Sequence, residues 1–193
     1  LNSFLVAGIT TLSVLVFDPL LGYAFCKYRF RGKEAIFTML LSTMMIPTEM
    51  MIIPWYMMVN QLGWNNTYWS MLFPGLSSAF GIFLMRQFFT GVPDELLDAG
   101  RIDGLSEFGV YTRIALPLVT PALSALGIFT FLGNWNSFLW PVIALDSKEK
   151  YTITLVLAQF SAENASQWEL IMTGASVATI PIIIIFLIFQ KKI

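Results

Sequence analysis

Five long apolar runs, each followed by a short polar or charged segment, constrain this chain more than any single motif. They occupy residues 5–25, 35–59, 68–89, 114–143 and 170–189. Each reaches or exceeds the roughly 20 residues that a helix needs to cross about 30 Å of hydrocarbon. No water is present there to bond the backbone, so each run is expected to be a helix. The runs at 35–59 and 114–143 carry prolines (Pro47 and Pro54; Pro117 and Pro121), where kinks are expected. The composition agrees. Of 193 residues, 56% are hydrophobic and the mean hydropathy is +0.71, values a soluble domain of this size seldom reaches. The expected fold class is all-α integral membrane, with one transmembrane domain over 1–193.

Several chemistries are excluded at once. A formal net charge of −1 gives no electrostatic case for nucleic acid. Without histidine, and with Cys26 as the sole cysteine, the chain has no His-based acid–base pair, multi-cysteine zinc site or internal disulfide. Cys26 is expected to be a reduced bystander at a span end. No G-x-x-x-x-G-K-[ST] loop is present, so no ATP cradle of the usual kind is expected in this chain. No catalytic residue, metal site or resident cofactor is expected.

Lysine and arginine set an expected orientation. If the spans alternate, Lys27, Arg29, Arg31, Lys33, Arg86, Arg101, Arg113, Lys191 and Lys192 share one side, against Lys148 and Lys150 on the other. The positive-inside rule then puts 26–34, 90–113 and the C-terminus in the cytoplasm, with 61–67 and 146–169 outside. Trp55, Tyr56, Trp64, Tyr68 and Trp69 crowd the outer boundary as an aromatic belt should. A chain that starts outside predicts one more span upstream, six in the full protein. Small residues four apart, Gly75/Ala79 and Gly174/Ala178, suit close helix packing within the subunit or against a partner. Methionines at 44, 45, 50 and 51 suit gap filling.

The charged interruption at 93–117, PDELLDAGRIDGLSEFGVYTRIALP, is expected to hold a short helix over about 93–104. Pro93 suits a first turn, and Asp94 and Glu95 complement the positive helix end. Gly104 is placed to end that helix in a left-handed conformation, and Ser106 to start the next. That is a docking shape. The flexible glycine would let a rigid helix pass motion into the following span.

The segment resembles the cytoplasmic motif of permeases of ATP-binding-cassette importers: E-A-A, three residues, G, nine residues, I-x-L-P. Asp98-Ala99-Gly100 stands in the E-A-A place, with Gly104, Ile114, Leu116 and Pro117 at the kept spacings. MIP at 45–47, NTYWSMLFPGL from Asn66, FGIFLMRQFF from Phe80 and GNWNSFLWP from Gly133 extend the likeness over nearly all of the chain. They are similar to the carbohydrate-uptake branch of maltose and glycerol-phosphate type. The resemblance implies a prokaryotic inner-membrane permease subunit. Its partners would be a second permease, usually a different chain, two ATPase subunits holding ATP and Mg, an external solute-binding protein, and lipid. Glu95, Asp98, Ala99, Gly100, Arg101, Asp103 and Gly104 would dock on the ATPase, with Asp98 and Gly104 as anchors.

For the solute, Asn134, Trp135, Asn136, Ser137 and Trp140 combine aromatic faces with polar groups, among them amides that both donate to and accept from hydroxyls. Interfacial anchoring by the tryptophans and helix capping by the asparagines are the competing reading. Asp18 and Glu49 are the ionisable groups inside the runs, suited to solute contact or to structural hydrogen bonding. The outer segment at 146–168 alternates too briefly for a strand and is expected to meet the binding protein. The expected function is a sugar permease. A permease for another polar solute such as glycerol-phosphate, or an ion-coupled transporter or channel, are the alternatives.

Overall fold

The structure, a computed structural model, describes residues 1–163 and 167–189, apart from the side chains of 188 and 189. Lys191, Lys192 and the C-terminus lie outside the described residues, so their expected cytoplasmic placement has no structural counterpart here. The helices in order are α1 (Asn2–Lys27), α2 (Lys33–Thr43), α3 (Ile52–Gln61), α4 (Tyr68–Leu72), α5 (Ala79–Thr90), α6 (Asp94–Ile102) and α7 (Glu107–Val110). They continue with α8 (Leu116–Leu118), α9 (Thr120–Trp135), α10 (Leu139–Ala144), α11 (Ile153–Glu163) and α12 (Trp168–Phe189). Among the described residues every regular element is helical, including the segment that follows Asp146, where α11 stands in place of any strand.

Three stretches, Asn2–Lys27, Tyr68–Thr90 and Trp168–Leu187, are long and apolar enough to cross a membrane. Two broken pairs, Lys33–Thr43 with Thr48–Gln61 and Glu107–Leu118 with Thr120–Trp135, raise the number to five. The run at 35–59 stops at Thr43, and extended Pro47 (φ −57°, ψ 135°) precedes a short 3-10 turn at Thr48–Met51. A proline without an N–H, whose ring excludes the carbonyl four residues back, accounts for that stop. Pro54 interrupts nothing, because it sits in the first turn of α3, where no N–H is needed. The run at 114–143 is likewise not one helix. It is entered through α7 and a π-helical turn at Tyr111–Ala115, then bends by 80° around Val119 between Pro117 and Pro121. It breaks again at 136–138 before α10.

The chain divides into two compact units. The first holds 1–12, 47–76 and the described residues from 128 onward, and the second holds 13–46 and 77–127. Helix α1 contributes to both. In the first unit, Val6, Val59, Met71, Leu72, Trp140 and Ala144 form one core cluster, and Ala7, Phe131 and Trp135 another. Gly174 faces α11: a Cβ there would lie 2.8 Å from Leu157 Cδ2, so this small residue serves packing within the chain. Gly75 and Ala79 share no helix face, because the helix is broken between them.

The core of the second unit gathers Val14, Tyr23, Met85, Phe89, Leu97, Val110, Tyr111 and Leu126. Asp18, fully buried, accepts hydrogen bonds from Ser77 Oγ (2.7 Å), Ser78 N (3.1 Å) and Ser78 Oγ (2.8 Å). Ser78 Oγ in turn accepts from Gly81 N (2.9 Å), capping α5. The carboxyl group thus fixes the start of α5.

The turn after α6 is a Schellman motif. Gly104 takes φ +83°, its N–H donates to the Arg101 carbonyl (3.0 Å), and the Leu105 N–H donates to the Gly100 carbonyl (3.0 Å). Gly100 is buried, and a Cβ on it would run into the Ile114 Cδ1 methyl. This close approach joins two fixed points of the E-A-A motif, and it lets glycine stand where the family pattern has alanine.

Two expectations test this packing by thermal unfolding in detergent. Gly81→Ala should destabilise the chain by about 2 kcal/mol or more. Its Cβ would fall on the Asp18 carboxyl, which cannot retreat without giving up hydrogen bonds of that strength. A gain in stability, as helix propensity alone predicts, would refute the Asp18 geometry. Gly100→Ala should be nearly neutral, since only the end of the Ile114 side chain must turn and alanine gains about 0.5–1 kcal/mol in helix propensity. Gly100→Leu should lower the unfolding temperature sharply.

Candidate functional site

The second unit presents α6 as a braced helix with one exposed face. Leu97 and Gly100 are buried, whereas Leu96, Ala99, Ile102 and Asp103 are exposed, and Ile102 reaches 86%. Phe108, on α7, is 68% exposed. Apolar side chains held in the open beside Glu95 and Asp103 form a contact surface with an acidic rim. Asp98 and Arg101, expected to face a partner, are engaged within the chain. Arg101 donates to Asp98 Oδ1 (2.6 Å) and to both oxygens of Glu107 (2.7 and 3.1 Å), bridging the glycine turn. Gly104 is therefore not the flexible joint expected, because a Schellman motif and a forked ion pair lock it.

The end of α1 reaches the same segment. Lys27 Nζ donates to the Val92 carbonyl and to Asp94 Oδ1, each at 2.6 Å. Its ammonium holds the Asp94 carboxyl below the usual carboxylate range. A lowered folded-state pKa means the pair contributes above that range and is lost as pH falls through it. The Tyr28 hydroxyl donates to Glu107 Oε2 (2.9 Å). Burial first, and this bond second, push the Tyr28 phenol up to about 12, so it remains a donor at physiological pH.

The first unit contains a cavity of ≈170 Å³. Trp55 and Trp140 supply aromatic faces, and Thr48, Asn134 and Ser137 supply polar atoms. Val6, Met71, Pro74 and Gly75 complete the lining, so no lining residue is charged. Trp140 is fixed by its Nε1, which donates to the Ser70 carbonyl (2.9 Å), and by an edge-on contact with Trp55 (5.7 Å between centroids). Asn134 donates one amide hydrogen to the Thr130 carbonyl (2.9 Å), which leaves its carbonyl oxygen and second N–H for a ligand. Thr48 sits at the break after Pro47.

Of the candidates for solute contact, the structure brings Asn134, Ser137 and Trp140 together. Trp135 is buried in the core, its Nε1 donating to the Ala178 carbonyl (3.2 Å) and its ring packed on Phe4 and Phe131. Asn136 is exposed and does not line the cavity. Glu49 is exposed in the 3-10 turn at the break of its span, and Asp18 is committed to α5. Thr48 was not picked out by the sequence, and Trp55 only as an interfacial aromatic, since an isolated hydroxyl or aromatic in an apolar run carries no signal for solute contact. Leu96 and Ile102 had one: apolar residues among the charges of 94–103.

The connection between Asn66 and residues 146–150 is braced as well. Asn66, at φ +54°, accepts on Oδ1 from the backbone N–H groups of Asp146 (3.2 Å) and Ser147 (3.1 Å), and Lys150 Nζ donates to its carbonyl. Asn2 donates to the carbonyls of Glu149 (2.7 Å) and Tyr151 (3.1 Å). Asp146, Lys148 and Glu149 are left exposed on this frame.

Comparison with known proteins places this architecture. The family described as binding-protein-dependent transport system inner membrane component matches residues 19–193. The arabinooligosaccharides transport system permease protein AraQ of Bacillus subtilis is 37% identical over 190 residues, covering 98% of this chain and 68% of that protein. The lactose transport system permease protein LacG of Rhizobium radiobacter is 34% identical, over 99% of this chain and 70% of LacG. The sn-glycerol-3-phosphate transport system permease protein UgpE of Pectobacterium atrosepticum is 32% identical, over 99% and 69%. In crystal structures, a chain of a bacterial ABC transporter that imports the acidic polysaccharide alginate superposes with a TM-score of 0.83 at 25% identity, over 98% of this chain and 72% of that one. The chain belongs to the family of binding-protein-dependent transport system inner membrane components, and it is a multi-pass permease subunit of an ABC importer.

Proposed function

We propose that this permease carries a neutral sugar or oligosaccharide past the cavity of its first unit. The observation that carries this reading is the lining: two tryptophans, an asparagine and two hydroxyls, with no charged side chain. Tryptophan faces suit the C–H faces of a sugar, and the amide and hydroxyls suit its O–H groups. A phosphate ester or polyuronate would enter with its charge unmatched, and burying an unpaired charge is strongly unfavourable. The names of AraQ and LacG refer to neutral saccharides, and those of UgpE and the alginate importer to anionic cargo. The neutral lining aligns this chain with the former.

As an importer permease it works with an ATPase and a solute-binding protein. In the arrangement proposed, two ATPase subunits hold the ATP and Mg, and a second, different permease completes the core. The face of α6 bearing Leu96, Ala99 and Ile102, with Glu95 and Asp103 at its rim, docks on the ATPase. The loops at 26–34 and 90–113 and the C-terminus are cytoplasmic, as the distribution of Lys and Arg favours. The braced connection at 146–150 meets the binding protein.

Two measurements test these assignments. Thr48→Val and Asn134→Leu should each reduce import of arabinotriose or lactose by about three- to tenfold, the value of a lost neutral hydrogen bond, with assembly unchanged. Full transport by both would place the path elsewhere. Ile102→Glu should leave thermal unfolding unaltered and weaken ATPase association about tenfold to a hundredfold, since burying such a side chain contributes about 1.5–3 kcal/mol. An ATPase still held at wild-type affinity would refute docking through this face.

A further inference from the structure

Lys27 and Tyr28, at the end of α1, belong neither to the cavity nor to the exposed face of α6, yet they hold both helices that flank the glycine turn. The Lys27 side chain is 10% exposed and reaches across Pro93, with Nζ at 2.6 Å from the carbonyl of Val92 and from Asp94. It thereby grips the entrance of α6. As the last residue of α1 it also complements the negative end of that helix. Tyr28 holds Glu107, the first residue of α7, and Glu107 is itself forked onto Arg101 of α6. The Tyr28 ring packs edge-on against Tyr23 of α1 (5.8 Å, 90°).

A displacement of α6 therefore has two routes into the membrane. The route along the chain crosses the π-helical turn at Tyr111–Ala115 and the 80° bend at Val119, both departures from regular helix. The other passes through Lys27 and Tyr28 into α1, which stays one helix of 26 residues through its internal Pro19, about 39 Å long at 1.5 Å per residue. That helix also supplies Val6 to the cavity lining.

We infer that Lys27 and Tyr28 are positioning residues for transport, carrying the displacement of the docking helix α6 directly into the first membrane helix. This rests on the reading of α6 as the ATPase-docking helix.

The test uses the complete importer, with both permeases, the ATPases and the binding protein, reconstituted in liposomes with arabinotriose and lactose as probe solutes. ATPase retention, thermal unfolding, ATP hydrolysis and solute imported per ATP are read separately. Lys27→Met should retain the ATPase but lower solute per ATP by about fivefold, and Tyr28→Phe by about threefold, within the range of couplings between contacting residues. Lys27→Arg, which keeps charge and donors, should stay within about twofold of the unmodified chain. An unchanged ratio in Lys27→Met overturns the inference, as does a loss confined to the amount of assembled complex, because the contacts would then serve folding alone. If Lys27→Met does not assemble, Tyr28→Phe decides, since phenylalanine keeps the ring on Tyr23 and removes only the hydroxyl. Retention of the ATPase by Ile102→Glu, scored apart from the ratio, is the result that refutes the docking reading itself.

Discussion

Inside hydrocarbon a backbone N–H or carbonyl without a partner costs several kcal/mol, and most of this architecture follows from that constraint. It makes every apolar run helical. It also dictates how polar side chains are tolerated in them: Thr10, Thr11, Thr173, Ser176 and Thr179 each return their hydroxyl to the carbonyl four residues back. Where a helix begins within an apolar stretch, a local device closes the open donors, as Asp18 and Ser78 do at α5. Where proline forces a break, at 44–47, the freed geometry puts Thr48 on the wall of the cavity. Irregular backbone at that depth is tolerated where it lines an internal space.

Charge is distributed by the same logic. The cavity lining is neutral, and strong charges collect at the ends of helices, where they pair: Lys27 with Asp94, Arg86 with Glu34, and Arg101 with Asp98 and Glu107. Each of these pairs keeps its carboxylate largely in solvent, so each adds little stability singly. Their geometric effect is larger, because together with the Schellman turn they make α6 and α7 one braced element and free the apolar side chains of α6 for a partner. A stiff element of this kind suits the docking role proposed for α6, where a displacement arriving from the ATPase would have to be passed on without loss.

The apolar runs and the charged segment between them were legible in the sequence because each depends on local properties: run length, proline and glycine positions, and charge. The same holds for the left-handed Gly104 and the Ser106 cap, both set by neighbours within a few residues. The motif spacing from Gly100 to Ile114 was visible as a pattern, though its reason was not. Only the fold shows that the missing Cβ makes room for the Ile114 side chain.

What the tertiary structure alone decided is which polar and aromatic residues meet. Trp135 and Trp140 lie five residues apart in one motif, yet one is sealed in the core against Ala178 and the other faces a cavity with Trp55. Asp18 and Glu49 looked alike as acids in apolar runs, but contacts across 59 and 60 residues consume the first, while the second stands exposed at a helix break. Hydrophobicity and helix signals are properties of neighbouring residues, so the sequence by itself determined a set of membrane helices interrupted by a charged, glycine-turned segment. The cavity, the grip of Lys27 and Tyr28 on that segment and the commitment of Asp18 arise from pairings between residues far apart in the chain, which no local pattern encodes.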